Sequence, residues 1–391
     1  MKHFLLRSGF FLSILIIYLV SCKGSEPSSE EADKYLVEAT SVGTFTKDQV
    51  VSQLSSIYGA LVQYGVKTYR ITYNTTNTDG TTIQASGALI IPAIESAVPM
   101  VSYQHGTISS DSQAPSYFGT TTDSQFITMM ASLGYVIVAP DYIGYGASNA
   151  YPHPYEHRSS LAQASLDLLR AAKEYFKKNN TSSWDGRLYL TGYSEGGYAT
   201  MSLYKKMQDE TSSEFNLRAV SVGSGAYNKT AFMNYLVNTS TGTTVEYNRL
   251  YAWVLTTYNR VYELNRSMSY YFKEPYASQI EANVSTASLG VSFNTIFTDS
   301  FKTALNDGTD TAFINAVKDN DVYDWKPNTT LWMYHGTADD LVPYFNSETA
   351  YEAMVAQGST VVTFFPQTGL DHSTNITPYA LGTLNMVSSV E

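Results

Sequence analysis

Cysteine is almost absent from this sequence, in which Cys22 is the one cysteine among 391 residues. One cysteine cannot form an internal disulfide framework, and its position near the N-terminus excludes a cysteine nucleophile in the folded domain. Positive charge is also scarce, because 24 Lys and Arg stand against 35 Asp and Glu and the formal net charge is −11. Nucleic-acid binding needs a field that attracts phosphates, so this charge balance argues against a DNA or RNA partner.

The N-terminus carries an apolar run, residues 10–20, that is too short to span a bilayer comfortably. Lys2 and Arg7 precede this run, and the pattern is typical of the charged n-region and apolar h-region of an export signal. We therefore predict that residues 1–21 are a signal sequence and not part of the fold. The run ends in the letters LVSC, which resemble the lipobox of bacterial lipoproteins, with Cys22 as its cysteine.

The lipobox resemblance implies that Cys22 is lipidated and becomes the first mature residue. The expected location is then the outer membrane, on the periplasmic side or at the cell surface, with the lipid as the membrane contact. Residues 22–40 are polar and acidic in their first part, and we expect them to form a flexible tether. Residues 41–391 are predicted to form the folded domain.

Strand-like and helix-like segments alternate through most of this domain. Buried strands are indicated by VPMVSYQ and YVIVAP, and an amphipathic helix by SSLAQASLDLLRAAKEYF. This alternation predicts an α/β fold with a mainly parallel central sheet covered by helices on both faces. Residues 227–327 interrupt it with helix-like, tyrosine-rich sequence, which predicts a helical cap above the C-terminal edge of the sheet.

Residues 187–200 read RLYLTGYSEGGYAT, an apolar strand followed by glycines around Ser194 and then a helix. This is the G-x-S-x-G pattern in the strand–turn–helix context that a nucleophilic serine requires. Small residues two positions before and after the serine allow the sharp turn that exposes its hydroxyl. Ser194 is therefore predicted to be a catalytic nucleophile, although a Gly-Ser-Gly loop without a catalytic role is the alternative.

A serine nucleophile needs a histidine base and an acid that orients it. The acid is expected at Asp339, on the loop after the strand LWMYHG, with the adjacent Asp340 as a competing candidate. The base is expected at His372, on the loop after the last apolar strand. His153 and His157 suggest a metal site only weakly, because prolines surround His153 and no third ligand is evident, so we expect no metal.

The oxyanion formed during acyl transfer needs two backbone N–H donors. The first is expected from Glu195, the residue after the nucleophile, and the second from Gly106 or Thr107 in the loop YQHGT. The amide of Glu195 is a group that any residue supplies. Its carboxylate has no role assigned by the motif, and either a substrate hydroxyl or a neighbouring loop could be its partner.

Five segments in order, HGT, APDYIGYGAS, GYSEGG, HGTADDLVP and GLDHS, resemble the landmarks of the α/β-hydrolase superfamily. Within it, YQHGT, PDYIGYG and GYSEGG are similar to secretory-lipase-type enzymes and related bacterial lipoprotein hydrolases. The resemblance implies a serine-dependent carboxylic ester hydrolase, an esterase or lipase, that forms an acyl-enzyme with Ser194, His372 and Asp339. The sequence departs from common lipase patterns in two places, since it has HGT in place of HGGG and Glu after the nucleophile.

This resemblance implies that no cofactor is needed and that the substrate is a small-molecule, lipid or glycan ester. Two alternatives stay open at the level of sequence. A serine peptidase of the same fold would use the same three side chains but would need an anchor for a peptide terminus. A surface lipoprotein that binds a ligand without catalysis would keep the scaffold alone.

Overall fold

The computed structural model describes residues 34–181, 183–211 and 213–390, together with residue 1. Residues 2–21 of the predicted signal sequence, and Cys22 after it, lie outside these residues. No helix in the described segments is both long enough and apolar enough to cross a bilayer.

A nine-stranded sheet forms the centre of the described domain. The strand order is β1-β2-β3-β5-β4-β6-β7-β8-β9, in which the first three neighbouring pairs are antiparallel and the other five are parallel. The strands are β1 (Leu36–Phe45), β2 (Val66–Thr76), β3 (Thr82–Pro92), β4 (Val98–Gln104), β5 (Val136–Pro140), β6 (Trp184–Tyr193), β7 (Asn216–Gly223), β8 (Thr330–Gly336) and β9 (Val362–Gln367). The predicted mainly parallel α/β fold is confirmed.

Helices follow the strands as the sequence alternation predicts. They are α1 (Lys47–Gln53), α2 (Ser56–Gly59), α3 (Thr122–Ser132), α4 (Arg158–Lys178), α5 (Glu195–Glu210), α6 (Lys229–Asn238), α7 (Val245–Val261), α8 (Met268–Tyr271), α9 (Tyr276–Asn283), α10 (Phe293–Ile296), α11 (Asp299–Asn306), α12 (Thr311–Asp319), α13 (Phe345–Ala356) and α14 (Ile376–Ser389). Short 3₁₀ turns lie at Asp111–Gln113, Pro115–Tyr117, Gly146–Ser148 and Val284–Thr286.

The central strands are apolar throughout because helices cover both of their faces. Along β5, Val136 and Val138 pack into the core that contains α4 and α5, whereas Ile137 and Ala139 pack into the core that contains α3 and α14. Side chains alternate between the two faces of a strand, so a continuous apolar run fills both cores. This packing holds the C-terminal ends of β4, β6, β8 and β9 in fixed positions, and the loops that follow them carry the candidate site residues.

The domain begins earlier than the sequence predicts. Residues 36–40, assigned to the tether, belong to β1, which pairs antiparallel with β2. The carboxylate of Glu174 on α4 accepts hydrogen bonds from the backbone N–H groups of Lys34, Tyr35 and Leu36 at 3.0, 2.9 and 2.6 Å. These contacts come from distant parts of the chain, so the polar local composition did not reveal the strand.

The helices between β7 and β8, α6 to α12, occupy the stretch predicted as a cap, and we call them the cap. They have a hydrophobic core of their own, built from aromatic rings that include Tyr271, Phe293, Phe297, Phe301 and Phe313. Most cap aromatics are thus structural. Three aromatic residues of α6 and α7 belong to this core and also line the space that contains Ser194, namely Phe232, Tyr251 and Tyr258.

Candidate active site

Ser194 occupies the turn between β6 and α5 and has backbone angles φ 60° and ψ −125°, a conformation that is strained for a residue with a side chain. The turn is so tight that a Cβ atom at Gly192 would lie 2.2 Å from the Gly196 carbonyl oxygen. A Cβ atom at Gly196 would lie 2.0 Å from the carbonyl oxygen of Gln104 on β4. Both glycines of the motif are therefore required by backbone contacts, and they lift the Ser194 hydroxyl to the sheet edge.

The structure brings together Ser194, His372 and Asp339. The Ser194 hydroxyl and Nε2 of His372 are 2.9 Å apart, and Nδ1 of His372 lies 2.7 Å from Oδ2 of Asp339. Because the carboxylate only accepts, Nδ1–H donates to Asp339 and Nε2 is left to accept from the serine hydroxyl. Such an arrangement can remove the serine proton as the hydroxyl attacks a carbonyl carbon.

Asp339 is buried, whereas the competing candidate Asp340 is exposed. Oδ1 of Asp339 accepts hydrogen bonds from the N–H groups of Leu341 and Val342, at 3.1 and 2.8 Å. These two bonds leave Oδ2 for the imidazole of His372. The geometry therefore favours Asp339 over Asp340 as the acid.

A second histidine, His335, also contacts the acid. Its Nε2 lies 2.8 Å from the Val342 carbonyl oxygen and 3.2 Å from Oδ2 of Asp339, and its Nδ1 lies 2.7 Å from the Ser347 hydroxyl. Burial opposes ionisation of Asp339, but the hydrogen bonds and charges of His335 and His372 outweigh it and hold the pKa of Asp339 well below its usual value. The acid is thus kept as a carboxylate.

The two candidates for the second oxyanion donor differ in their contacts. The N–H of Gly106 donates to Oδ2 of Asp123 at 3.0 Å, so it is already occupied in this arrangement. The N–H groups of Thr107 and Glu195 have no acceptor within the described residues. These two groups are therefore free to bind an oxyanion, and Thr107 lines the same groove as Ser194 and His372.

The Glu195 carboxylate, to which the sequence assigns no role, contacts His153. Its Oε1 lies 2.8 Å from Nε2 of His153, and the side chains are only 1% and 3% exposed, respectively. Nδ1 of His153 donates to the Ile143 carbonyl oxygen at 2.7 Å. One proton is consequently held between His153 and Glu195, and the pair joins the loop that precedes α4 to the N-terminus of α5.

The suggestion of a metal site at His153 and His157 finds no geometric support. His157 contacts the Ser160 hydroxyl at 2.9 Å, whereas His153 contacts Glu195. Across the described segments, no group of three or more His, Cys, Asp or Glu side chains is arranged to hold a metal ion.

A narrow space between Ser194 and the cap, which we call the inner pocket, has a free volume of about 30 Å³. This volume holds roughly one or two water-sized groups. Its polar wall is a buried ion pair between Lys229 of α6 and Glu156, and the Lys229 ammonium also lies 4.1 Å from the centre of the Tyr198 ring. Burial raises the pKa of Glu156, and Lys229 opposes this effect. The apolar wall consists chiefly of Phe232, Met233, Leu236, Leu250, Val254, Tyr258 and Val317.

The cap also contacts the loop that carries the acid. Tyr251 on α7 donates from its hydroxyl to the Leu341 carbonyl oxygen at 2.8 Å. Leu341 is one of the two residues whose N–H groups donate to Asp339. Leu341 therefore contacts both the cap and Asp339.

Comparisons with known proteins agree with this architecture. Among solved structures, a putative hydrolase from Legionella pneumophila has a TM-score of 0.80 and 24% identity, over 90% of this chain and 97% of that one. The rice cell wall degrading esterase LipA from Xanthomonas oryzae has a TM-score of 0.76 and 24% identity, over 92% and 98%. At this identity, these likenesses show the fold alone.

Sequence comparison adds a family. The secreted triacylglycerol lipase LIP2 from Malassezia furfur is 25% identical over 357 residues, which are 85% of this chain and 71% of that lipase. The sequence pattern of the secretory lipase family matches residues 110–385, more than half of the chain. Family and homologues together support ester hydrolysis by an exported protein. The chain belongs to the secretory lipase family of α/β-hydrolases.

Proposed function

We propose that the protein is a serine-dependent carboxylic ester hydrolase that works through an acyl-enzyme. The Ser194 oxygen attacks the ester carbonyl carbon while His372 takes its proton, and that proton then passes to the departing alcohol as the ester C–O bond breaks. Water, deprotonated by His372, then attacks the acyl carbon, and His372 returns the proton to the Ser194 oxygen as its bond to the acyl group breaks and the carboxylic acid leaves. Asp339 orients the imidazole and stabilises its charged form.

The observation that carries this proposal is the hydrogen-bonded series from Ser194 through His372 to Asp339, with contacts of 2.9 and 2.7 Å. The free N–H groups of Glu195 and Thr107 supply donors for the charge that develops on the carbonyl oxygen. Glu195 is also the first residue of α5, where the helix dipole favours negative charge.

The dimensions of the site favour a short acyl group. An acyl chain in the inner pocket has about 30 Å³ of free space, whereas the open cleft beside the oxyanion loop offers about 710 Å³ for the alcohol. The buried carboxylates Glu195 and Glu156 are both paired, with His153 and Lys229. Neither of these two buried carboxylates is therefore free to anchor the ammonium group of a peptide.

Anchoring by lipid at Cys22 stays a proposal that rests on the LVSC sequence and on the export that the family supports. Incorporation of a clickable fatty acid into the full-length protein, with Cys22→Ser as the comparison, tests it. A label retained in the Ser variant would contradict lipidation at this cysteine.

Hydrolysis of p-nitrophenyl esters with two to twelve acyl carbons, and of aminoacyl p-nitroanilides, tests the activity. We expect ester turnover that is fastest for short acyl groups and a fall in kcat of at least about 10³-fold in Ser194→Ala. Ser52→Ala is a control on the exposed face of α1 and should match the wild type. Ester turnover that survives in Ser194→Ala would refute the mechanism, and turnover of anilides alone would favour a peptidase.

A further inference from the structure

The open cleft beside the oxyanion loop is continuous with the groove that contains Ser194. Thr107, Ile108 and Leu250 line both spaces, so a substrate held at Ser194 extends directly into the cleft. Two arginines of α7, Arg249 and Arg260, lie on its wall, and we call it the arginine cleft. The proposed function leaves these two charges unexplained.

Both guanidinium groups lack an acidic partner. Arg249 donates to the Ala287 carbonyl oxygen at 2.8 Å and Arg260 to the His153 carbonyl oxygen at 3.2 Å, and no carboxylate lies within 4 Å of either among the described residues. The arginines at positions 158, 170, 187 and 266 are, in contrast, each paired with Asp or Glu. In a chain with a net charge of −11, two cations without an acidic partner on one wall create a local field of the opposite sign.

Helix geometry places these two arginines on one stripe of α7. Eleven residues are close to three full helical turns, so Arg249 and Arg260 share a face about 16 Å in length. Trp253 lies between them on the cleft wall. The hydroxyl of Thr257, also on this wall, is buried and has no hydrogen-bond partner. The stripe therefore offers an aromatic surface and two cations.

One carboxylate, Glu246, lines the same cleft. It is exposed at the start of α7 and forms no hydrogen bond or ion pair with Arg249 or Arg260. Its charge reduces the positive field without neutralising a specific arginine. Removal of this charge should therefore strengthen the binding of an anion in the cleft.

We propose that the arginine cleft binds the alcohol part of the ester and that this part carries an anionic group, a carboxylate or a phosphate. The inference rests on the proposed ester hydrolysis, because it assigns the inner pocket to the acyl group. A guanidinium group forms strong hydrogen bonds with either anion, and Trp253 supplies the apolar surface against which the rest of the alcohol packs.

Matched acetate esters test this inference. The probes are 4-acetoxybenzoate and its neutral amide, 4-acetoxybenzamide, and the quantity measured is the ratio of their kcat/KM values. Differences in chemical reactivity between the esters cancel when this ratio is compared between enzyme variants. We expect Arg260→Gln and Arg249→Gln each to lower the ratio about tenfold, chiefly through a higher KM of the anionic ester, because any effect on hydrolysis of the neutral ester cancels in the ratio.

Glu246→Gln is the matched control, since it also changes one charge on the cleft wall and should leave the ratio unchanged or raise it. A third ester, 4-acetoxyphenyl phosphate, separates a carboxylate preference from a phosphate preference. Equal effects of the arginine substitutions on the charged and neutral esters would overturn the inference, even in an active esterase. Absence of turnover of the neutral ester by the wild type would instead contradict the proposed function.

Discussion

Replacement of Glu195 separates its two expected contributions, the backbone N–H and the carboxylate. Both side chains of the pair with His153 are almost fully buried, at 1% and 3% exposure. Glu195→Gln keeps the shape and lets the new amide N–H donate to Nε2 of His153, so a neutral hydrogen bond replaces a charge-assisted one. We expect a loss of about 1 kcal/mol in the free energy of unfolding and a fall in kcat of less than about tenfold.

Glu195→Leu removes the partner of His153 and leaves Nε2 buried without a hydrogen bond, which costs about 1–3 kcal/mol. The backbone N–H of position 195 survives, but the contact that ties this helix terminus to the loop of His153 is lost. Complete loss of one oxyanion donor reduces kcat by about 10²–10³-fold, so partial misplacement should reduce it by about 10–100-fold with little change in KM.

Urea unfolding and p-nitrophenyl acetate kinetics measure these two effects in the same preparations. The single variant His153→Leu and the double variant Glu195→Leu/His153→Leu complete the thermodynamic cycle, and we expect a coupling energy of about 1–3 kcal/mol between the two positions. A folded Leu variant with wild-type kcat would refute the view that the carboxylate positions the oxyanion donor. Loss of all activity in the Gln variant would show that the side chain acts directly on the substrate.

Three further predictions concern the acid, the inner pocket and the response to pH. Asp339→Asn should lower kcat by about 10³–10⁴-fold in ester hydrolysis, whereas the exposed control Asp340→Asn should change it by less than about twofold; equal losses would contradict the assignment of the acid. Met233 and Val317 separate the inner pocket from a depression on the cap surface. Met233→Ala should therefore raise kcat/KM for octanoate esters relative to acetate esters by about tenfold. An unchanged ratio would mean that the acyl chain binds elsewhere. Burial lowers the pKa of His157 from 6.5 to about 4. The contribution of the neutral His157 side chain to the free energy of unfolding is therefore fully present above pH 6.5 and is lost as the pH falls towards 4. From pH 7 to pH 5, urea unfolding should show that the free energy of unfolding falls by about 2 kcal/mol more in the wild type than in His157→Gln. Equal falls in the two proteins would refute the assignment of this pH dependence to His157.

The candidates for nucleophile and base, Ser194 and His372, could be selected from sequence because their signals are local or follow a fixed order along the chain. Gly192 and Gly196 are needed around Ser194 because a Cβ atom at either position would collide with a backbone carbonyl oxygen in this turn. His372 follows the last strand, where the parallel sheet brings its loop back to the same edge. Such inferences need only the motif and the alternation of strands and helices.

Other features depend on contacts between distant parts of the chain. Asp339 and Asp340 are adjacent and chemically identical, so the sequence does not distinguish them. Only the folded loop shows that Asp339 is the buried one. The pairing of Glu195 with His153 joins positions 42 apart, and the contact of Gly106 with Asp123 removes a donor that the motif alone makes available. The proline-flanked histidine loop after β5 was the available signal for a buried partner of Glu195.

The hydrogen bond from Tyr251 to Leu341 has a consequence for substrate entry. Any movement of the cap far enough to break it would release the loop segment whose N–H groups donate to Asp339. One tyrosine hydroxyl would then link the position of the cap to the support of the proposed acid, and this support is complete with the cap placed as it is here.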